Sequence, residues 1–363
     1  MLNDLLSRRE LPELLAMEDG SPVTAGNWPK RRQELVDILS HWEYGKMPEV
    51  LGPTAFRVVE EETQECAAGT AVSRKVEITF PTPLLGSFTF PVTVSIPKSA
   101  TAANPKPAFV YISFGWAKYT PLEELMNHDV IIAEMVMNDV ALDKEDSYAN
   151  LMAAHYFKDG QRPEDGFGKI GMWAFAASRV LDYLLTLEEV DPQHAGVIGH
   201  SRLGKTALWA GANDIRFTHV YSNDSGCSGA AITRKKVGET FPAIARVFPY
   251  WFCPNMQKVS VSVEASEQVP FDQHFLLAAM APRKLYVASA ELDEWADPES
   301  EFLAACAASP AWEINGQNGL ISPDRLPDIW DTLQDGNVGY HLRAGTHFLS
   351  RHDWVRYIRF IQK

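Results

Sequence analysis

AGVIGHSRLGKTALWAGA, residues 195–212, joins a short apolar run to an alanine-rich stretch across one serine, Ser201. The apolar run suits a buried strand and the stretch after it a helix, so Ser201 falls on a sharp strand-to-helix turn. Where such strands lie side by side in a parallel sheet, ligands meet the sheet at their carboxyl ends, which is where this turn sits. A turn of this kind lifts a serine hydroxyl into solvent and leaves the next backbone N–H free to receive an oxyanion. The usual pattern is G-x-S-x-G; here Gly199 is followed by Gly204, one place late, and Arg202 stands directly behind the serine. Serine is also a favoured helix N-cap, so these residues by themselves allow a plain cap.

Outward from that stretch the same alternation repeats. Residues 108–114 (AFVYISF) and 129–137 (DVIIAEMVM) are nearly continuous apolar runs, as expected of strands buried on both faces. In GMWAFAASRVLDYLLTLEEV, residues 171–190, Trp173, Ala177, Val180, Leu181, Leu184 and Leu187 share one helical face. Beyond Ser201 the chain reads as strand FTHVYSN, strand KLYVASA (284–290), helix ESEFLAACAA, strand VGYHLR and a terminal amphipathic helix. Alternating strands and helices imply a doubly wound α/β sheet. Ahead of it, Leu35, Ile38, Leu39 and Trp42 keep helical spacing before Gly45 and Pro48. Val76, Ile78 and Phe80, then Val92, Val94 and Ile96, alternate on either side of PTPLLGS, as in a hairpin. No repeat or long linker divides the chain, so residues 1–363 are expected to form a single domain, with residues 1–100 packed on the core as helix and hairpin additions.

A nucleophilic serine needs a base and an acid, and on this fold they follow it in the order acid, then histidine. His347, in the glycine-containing loop RAGTHFLSRHDW between strand and last helix, is favoured over His341 within the strand and His352 at the helix start. Two regions offer the acid: Asp224 in SNDSGCSG, and the loop ELDEWADP with Glu291, Asp293, Glu294 and Asp297. Either could orient the imidazole and stabilise its protonated form. Lys205, four residues after Ser201, shares its helical face and could hold sugar hydroxyls or a uronate. Trp251 and Trp295 could stack on a sugar ring or simply pack.

Composition narrows the partners. The 363 residues are 46% hydrophobic and 22% charged, a globular balance, and the formal net charge of −14 argues against a nucleic-acid or anionic-membrane partner. Four scattered cysteines, Cys66, Cys227, Cys253 and Cys306, lack paired metal-ligand spacing and are expected as reduced thiols. The N-terminal MLNDLLSRRELPELL lacks the basic-then-apolar pattern of a secretory signal, which makes a cytoplasmic location the expectation. Gly166-x-Gly168-x-x-Gly171 follows a polar loop rather than a strand, which speaks against a dinucleotide site. His341, His347 and His352 match no common zinc spacing, and PFDQH (270–274) reads as a helix start.

The segments GHSRLGK, SNDSGCSGAA, PYWFCPN, VPFDQH, APRKLYVASAELDEWADP and GYHLRAGTH, in this order, resemble the glucuronoyl esterases of carbohydrate esterase family fifteen and their bacterial acetyl xylan esterase-like relatives. The resemblance runs from about Pro107 to the C-terminus, and EYGKMP is similar to the family's N-terminal element. It implies the α/β-hydrolase fold, Ser201 as nucleophile, His347 as base and Arg202 as an oxyanion-stabilising side chain. The glutamate of the fungal members falls on Asp224, which favours Asp224 as the acid. Some bacterial members place the acid in the loop that here reads ELDEW, which gives Asp293 as the alternative. Family sugar contacts fall on Lys205 and Trp295. Two departures stand out: His200 replaces the cysteine that precedes the fungal nucleophile, and residues 246–250 lack the acidic sugar contact expected ahead of the W-F segment.

The resulting expectation is a serine carboxylic-ester hydrolase that needs no cofactor and acts on a small carbohydrate ester, foremost a glucuronoyl ester. Deacetylation of xylan-type sugars is the alternative, and a hydrolase-fold carbohydrate-binding protein without turnover is the alternative outside enzymes.

Overall fold

The computed structural model describes residues 1–66, 69–115 and 120–363. Its ten strands among the described residues are β1 (Ala55–Cys66), β2 (Gly69–Thr82), β3 (Gly86–Pro97), β4 (Lys106–Ser113), β5 (Ile131–Val136), β6 (Val190–His200), β7 (His219–Asn223), β8 (Lys284–Ala290), β9 (Thr332–Leu333) and β10 (Val338–Arg343). They form one sheet in the order β1-β2-β3-β5-β4-β6-β7-β8-β10-β9. The six central strands from β5 to β10 pair in parallel, while β1, β2 and β3 join one side and β9 the other antiparallel. The hairpin anticipated at residues 76–96 is β2 and β3, and it extends the central sheet through the pairing of β3 with β5.

Both faces of the central strands are buried, which explains their unbroken apolar sequence. Along β4, Ala108, Val110 and Ile112 pack into one core while Phe109 and Tyr111 enter the other. Burying each such side chain contributes about 1.5–3 kcal/mol, so a register slip of one residue would be costly on both faces at once. The first core contains the helices Lys169–Leu184 and Arg202–Asn213, with Trp173 and Trp209 fully buried. The second is closed by the C-terminal helix Arg351–Ile361 through Trp354, Tyr357 and Phe360. That helix begins with a capping box between Ser350 and Asp353.

The N-terminal helix Trp28–Leu39 is tied to the same body. Trp28 Nε1 donates to the Ala281 carbonyl (3.1 Å), and Arg32 Nε donates to that of Ala279 (2.8 Å). Its continuation is a π-helical turn, Ser40–Tyr44, which carries the fully buried Glu43. The helix expected after PFDQH is Gln273–Ala278, with Asp272 as its cap. Cys227, Cys253 and Cys306 are free thiols, and the side chain of Cys66 lies outside the described residues. No helix among the described residues is long and apolar enough to cross a membrane.

Candidate active site

Ser201 joins β6 to the helix Arg202–Asn213 with φ 59° and ψ −128°, a backbone conformation that L-residues adopt rarely. The turn is braced by its neighbour strand: the Ser201 N–H donates to the Asn223 carbonyl at the end of β7 (2.8 Å). A Cβ at position 199 would lie 2.0 Å from the Leu203 carbonyl oxygen, so this glycine is required by the tightness of the turn. The late second glycine has its own reason, since a Cβ on Gly204 would come within 2.9 Å of Ser225 Cβ. The helix can therefore press against the loop that follows β7.

Ser201 opens into a cavity of about 580 Å³ whose wall includes Phe114, Asp143, Lys144, His200, Arg202 and His347. His347 lies in the loop after β10, and its Nδ1 meets Asp293 Oδ2 at 2.6 Å. Asp293 follows β8 and is itself buried, while His347 stays half exposed. Burial pushes the Asp293 carboxyl up, but the hydrogen bond and charge of His347, with the Ala296 N–H, outweigh it and hold the group below its ordinary value.

The carboxylate partner of the imidazole is thus the residue given from sequence as the alternative. Asp224, the residue favoured from sequence, is not the hydrogen-bond partner of His347; it is buried beneath the site with Oδ2 on Arg343 Nη2 (3.0 Å). Burial outweighs Arg343 and keeps the Asp224 carboxyl well above the usual carboxylate range. Its Oδ1 has no hydrogen-bond partner among the described residues. The two carboxylates are nonetheless close, and oxygens of Asp224 and Asp293 and a ring nitrogen of His347 all lie within 4.8 Å of one another. The reason for the division is the position of Arg343 at the end of β10, which draws Asp224 away from the imidazole.

Arg343 also builds the loop that carries the histidine, a role the sequence reading missed. Its Nη1 donates to the carbonyls of Ala344 (3.3 Å) and Thr346 (3.2 Å), its Nη2 to that of Phe348, and its Nε to both oxygens of Asp353 (3.0 Å each). Asp353 in turn accepts from His341 Nε2 (2.8 Å), whose Nδ1 bonds the Tyr286 hydroxyl (3.0 Å). His341 is thus a buried structural residue, and His352 packs edge-on against Trp330. An arginine ending the buried strand VGYHLR is the signal that could have found this anchor.

His200, beside the nucleophile, holds its ring 4.5 Å from that of His347 at a tilt of 43° and donates from Nδ1 to Asn223 Oδ1 (2.7 Å). Burial, reinforced by His347, pushes its pKa down to about 3, so it presents a neutral ring to the base. Arg202 is paired with Asp143, and its guanidinium lies 4.8 Å from the Trp251 ring. Trp251 is packed face to face on Phe248 at 3.8 Å, so it belongs to the wall behind Arg202. Arg202 Nε has no hydrogen-bond partner among the described residues.

The two expected sugar contacts have their own surroundings. Lys205 is 4% exposed and donates from Nζ to the Ser225 carbonyl (2.5 Å), with burial lowering its pKa. Trp295 is 61% exposed, two residues beyond Asp293. Neither lines the cavity at Ser201.

A model of the glucuronyl esterases of fungi matches residues 85–316. The chain superposes on a glucuronoyl esterase from Solibacter usitatus over 97% of both chains, with a TM-score of 0.87 and 34% identity. It superposes on a promiscuous CE15 esterase from a marine bacterial metagenome over 97% of this chain and 96% of that one, with a TM-score of 0.84 and 31% identity. In sequence it is 32% identical to carbohydrate esterase MZ0003 of an unknown prokaryotic organism, covering 96% of this chain and 88% of that protein. It is 27% identical to the 4-O-methyl-glucuronoyl methylesterase of Podospora anserina, covering 85% of this chain and 60% of that enzyme. The chain belongs to the glucuronoyl esterase family, carboxylic ester hydrolases of the α/β-hydrolase fold.

Proposed function

We propose that the protein hydrolyses esters of glucuronic acid, with Ser201 as nucleophile, His347 as general base and Asp293 as the acid that orients it. The hydroxyl of Ser201 attacks the ester carbonyl as its proton passes to His347, whose other ring nitrogen is held by Asp293. The developing oxyanion is received by the backbone N–H at the start of the helix Arg202–Asn213 and by the Arg202 guanidinium. Collapse expels the alcohol, which takes the proton from His347; water then attacks the acyl-enzyme by the reverse sequence and releases the uronate.

The observation that carries this reading is the convergence of a strained serine, an arginine and an aspartate-bonded histidine on one cavity. The uronate part rests on the family and on relatives named for 4-O-methyl-glucuronoyl ester cleavage. A second reading, removal of acetyl groups from sugars, draws on the likeness to an esterase described as promiscuous and on the absence of an acidic residue at 246–250. The two readings put the sugar on opposite sides of the ester. Benzyl glucuronate and an acetylated xylo-oligosaccharide assayed side by side separate them: we expect faster turnover of the glucuronate, and turnover of the acetylated sugar alone would reverse the assignment.

A further inference from the structure

We propose that Asp143 is a positioning residue for Arg202 that makes the site reject the free acid it produces while accepting the ester. This rests on the esterase reading above, because it concerns the group left in the cavity after hydrolysis.

Ester and product differ in charge at one point. The ester carbonyl is neutral, whereas the released uronate places a carboxylate against the same donors that received the oxyanion. An unpaired guanidinium in a half-buried cavity binds such a carboxylate tightly through two parallel hydrogen bonds. Here one nitrogen of that fork is already engaged and its charge is balanced. Arg202 Nη1 is paired with Asp143 Oδ2, and Asp143 Oδ1 accepts from Trp251 Nε1 (2.7 Å). The Trp251 ring then lies along the guanidinium, so arginine, aspartate and tryptophan form a closed set.

The aspartate cannot readily leave this position. Lys169, which is fully buried, donates from Nζ to the carbonyls of Leu142 (2.6 Å) and Lys144 (2.5 Å), the residues on either side of Asp143. The same ammonium pairs with Asp146 (2.7 Å), and the Asp143 N–H donates to Asn138 Oδ1 (2.9 Å). A buried ammonium spent on two carbonyls flanking one carboxylate fixes where that carboxylate stands. The result is an arginine held in place for a transient oxyanion, with its charge balanced against a persistent anion.

The test compares a carboxylate with its neutral amide. Competitive inhibition by glucuronate and by glucuronamide is measured for the wild type, Asp143→Asn and Asp143→Glu. We expect the wild type to bind glucuronate no tighter than the amide. Asp143→Asn should shift that ratio at least ten-fold toward the anion, and Asp143→Glu, which keeps the charge, should restore it. General loosening of the site would weaken both inhibitors and leave the ratio alone. If the protein cleaves acetyl rather than glucuronoyl esters, acetate and acetamide against nitrophenyl acetate replace the pair under the same criteria, so the two readings fail separately. An unchanged ratio in Asp143→Asn overturns the proposal, and so does a wild type that already prefers the anion, a measurement that needs no variant.

Discussion

Asp293 and His347 lie 54 residues apart in the chain and meet at 2.6 Å, with the carboxylate buried and the imidazole half exposed at the cavity wall. A buried acid behind an accessible base fixes the ring's orientation and tautomer without blocking its reactive nitrogen. Asp293→Asn should therefore reduce kcat about 10²–10⁴-fold with little change in KM. Asp224→Asn should act differently, because Asp224 is hydrogen-bonded to Arg343 rather than to His347. Its effect should be mainly on thermal stability, with a kcat loss well below that of Asp293→Asn. Comparable kcat losses in the two variants would mean that the carboxylates share the task.

Ser201 offers a test in which stability and activity move in opposite directions. Ser201→Ala and Ser201→Gly should each lose about 10³-fold or more in turnover, since neither supplies a nucleophile. Only glycine adopts φ 59° and ψ −128° without strain, and positions of this kind store about 1–3 kcal/mol. Ser201→Gly should consequently be more stable than Ser201→Ala in denaturant unfolding. Equal stabilities would show that the turn is unstrained, and retained activity in either variant would remove Ser201 from the mechanism.

The parts of the molecule that could be read from sequence are those in which one residue type serves one purpose. The strands β4, β5, β8 and β10 are buried on both faces, so their composition is nearly binary, and Ser201 and His347 sit at the turn and loop that a parallel sheet provides for function. The edge strand β1 was not legible. It is largely exposed, carries four glutamates, and has a register shift between Val58 and Glu60, so neither alternation nor composition marks it. The choice between Asp224 and Asp293 was equally hidden, because it depends on where Arg343 reaches from a third strand. The partner of Lys205 was hidden for a related reason: helical spacing puts it on the face of Ser201, but the Ser225 carbonyl accepts from its ammonium.

Behind the site, Glu301 provides a pH prediction. It accepts from Ser289 Oγ (2.6 Å) and the Gly226 N–H (2.8 Å), linking the loop after β7 to β8. Burial raises its pKa from 4.5 to about 7, against the pull of those hydrogen bonds. Because the folded protein holds this proton more tightly than the unfolded chain, the stabilisation is fully present below pH 4.5 and is lost as pH rises to about 7. For one group the shift corresponds to about 3 kcal/mol. Glu43 is raised to about 7 by burial as well and titrates in the same window. Histidines depressed by burial, such as His200, act in the opposite sense, losing stability as pH falls below 6.5. The wild-type curve is therefore a sum, and the informative quantity is its difference from Glu301→Gln. That difference should change between pH 4.5 and 7 and be flat above about 8; a difference independent of pH would show that Glu301 is already ionised in the folded protein.

Arg202 separates oxyanion stabilisation from substrate recognition. Its guanidinium is clamped between Asp143 and Trp251 beside the nucleophile, and an oxyanion forms whether the ester under attack is a glucuronate or an acetate. A donor aimed at that oxygen acts in the transition state, so its removal lowers kcat and kcat/KM together. Arg202→Ala should lose about 10²–10³-fold in kcat, the range typical of one oxyanion donor, on both benzyl glucuronate and nitrophenyl acetate. Arg202→Lys should recover little, because an ammonium cannot pair with Asp143 through one nitrogen and keep a planar fork for the oxyanion. A residue that instead gripped the sugar would show its loss on the glucuronate alone, and mainly in KM. That pattern would leave the backbone N–H groups of the turn as the oxyanion donors and make Arg202 a determinant of which ester is accepted.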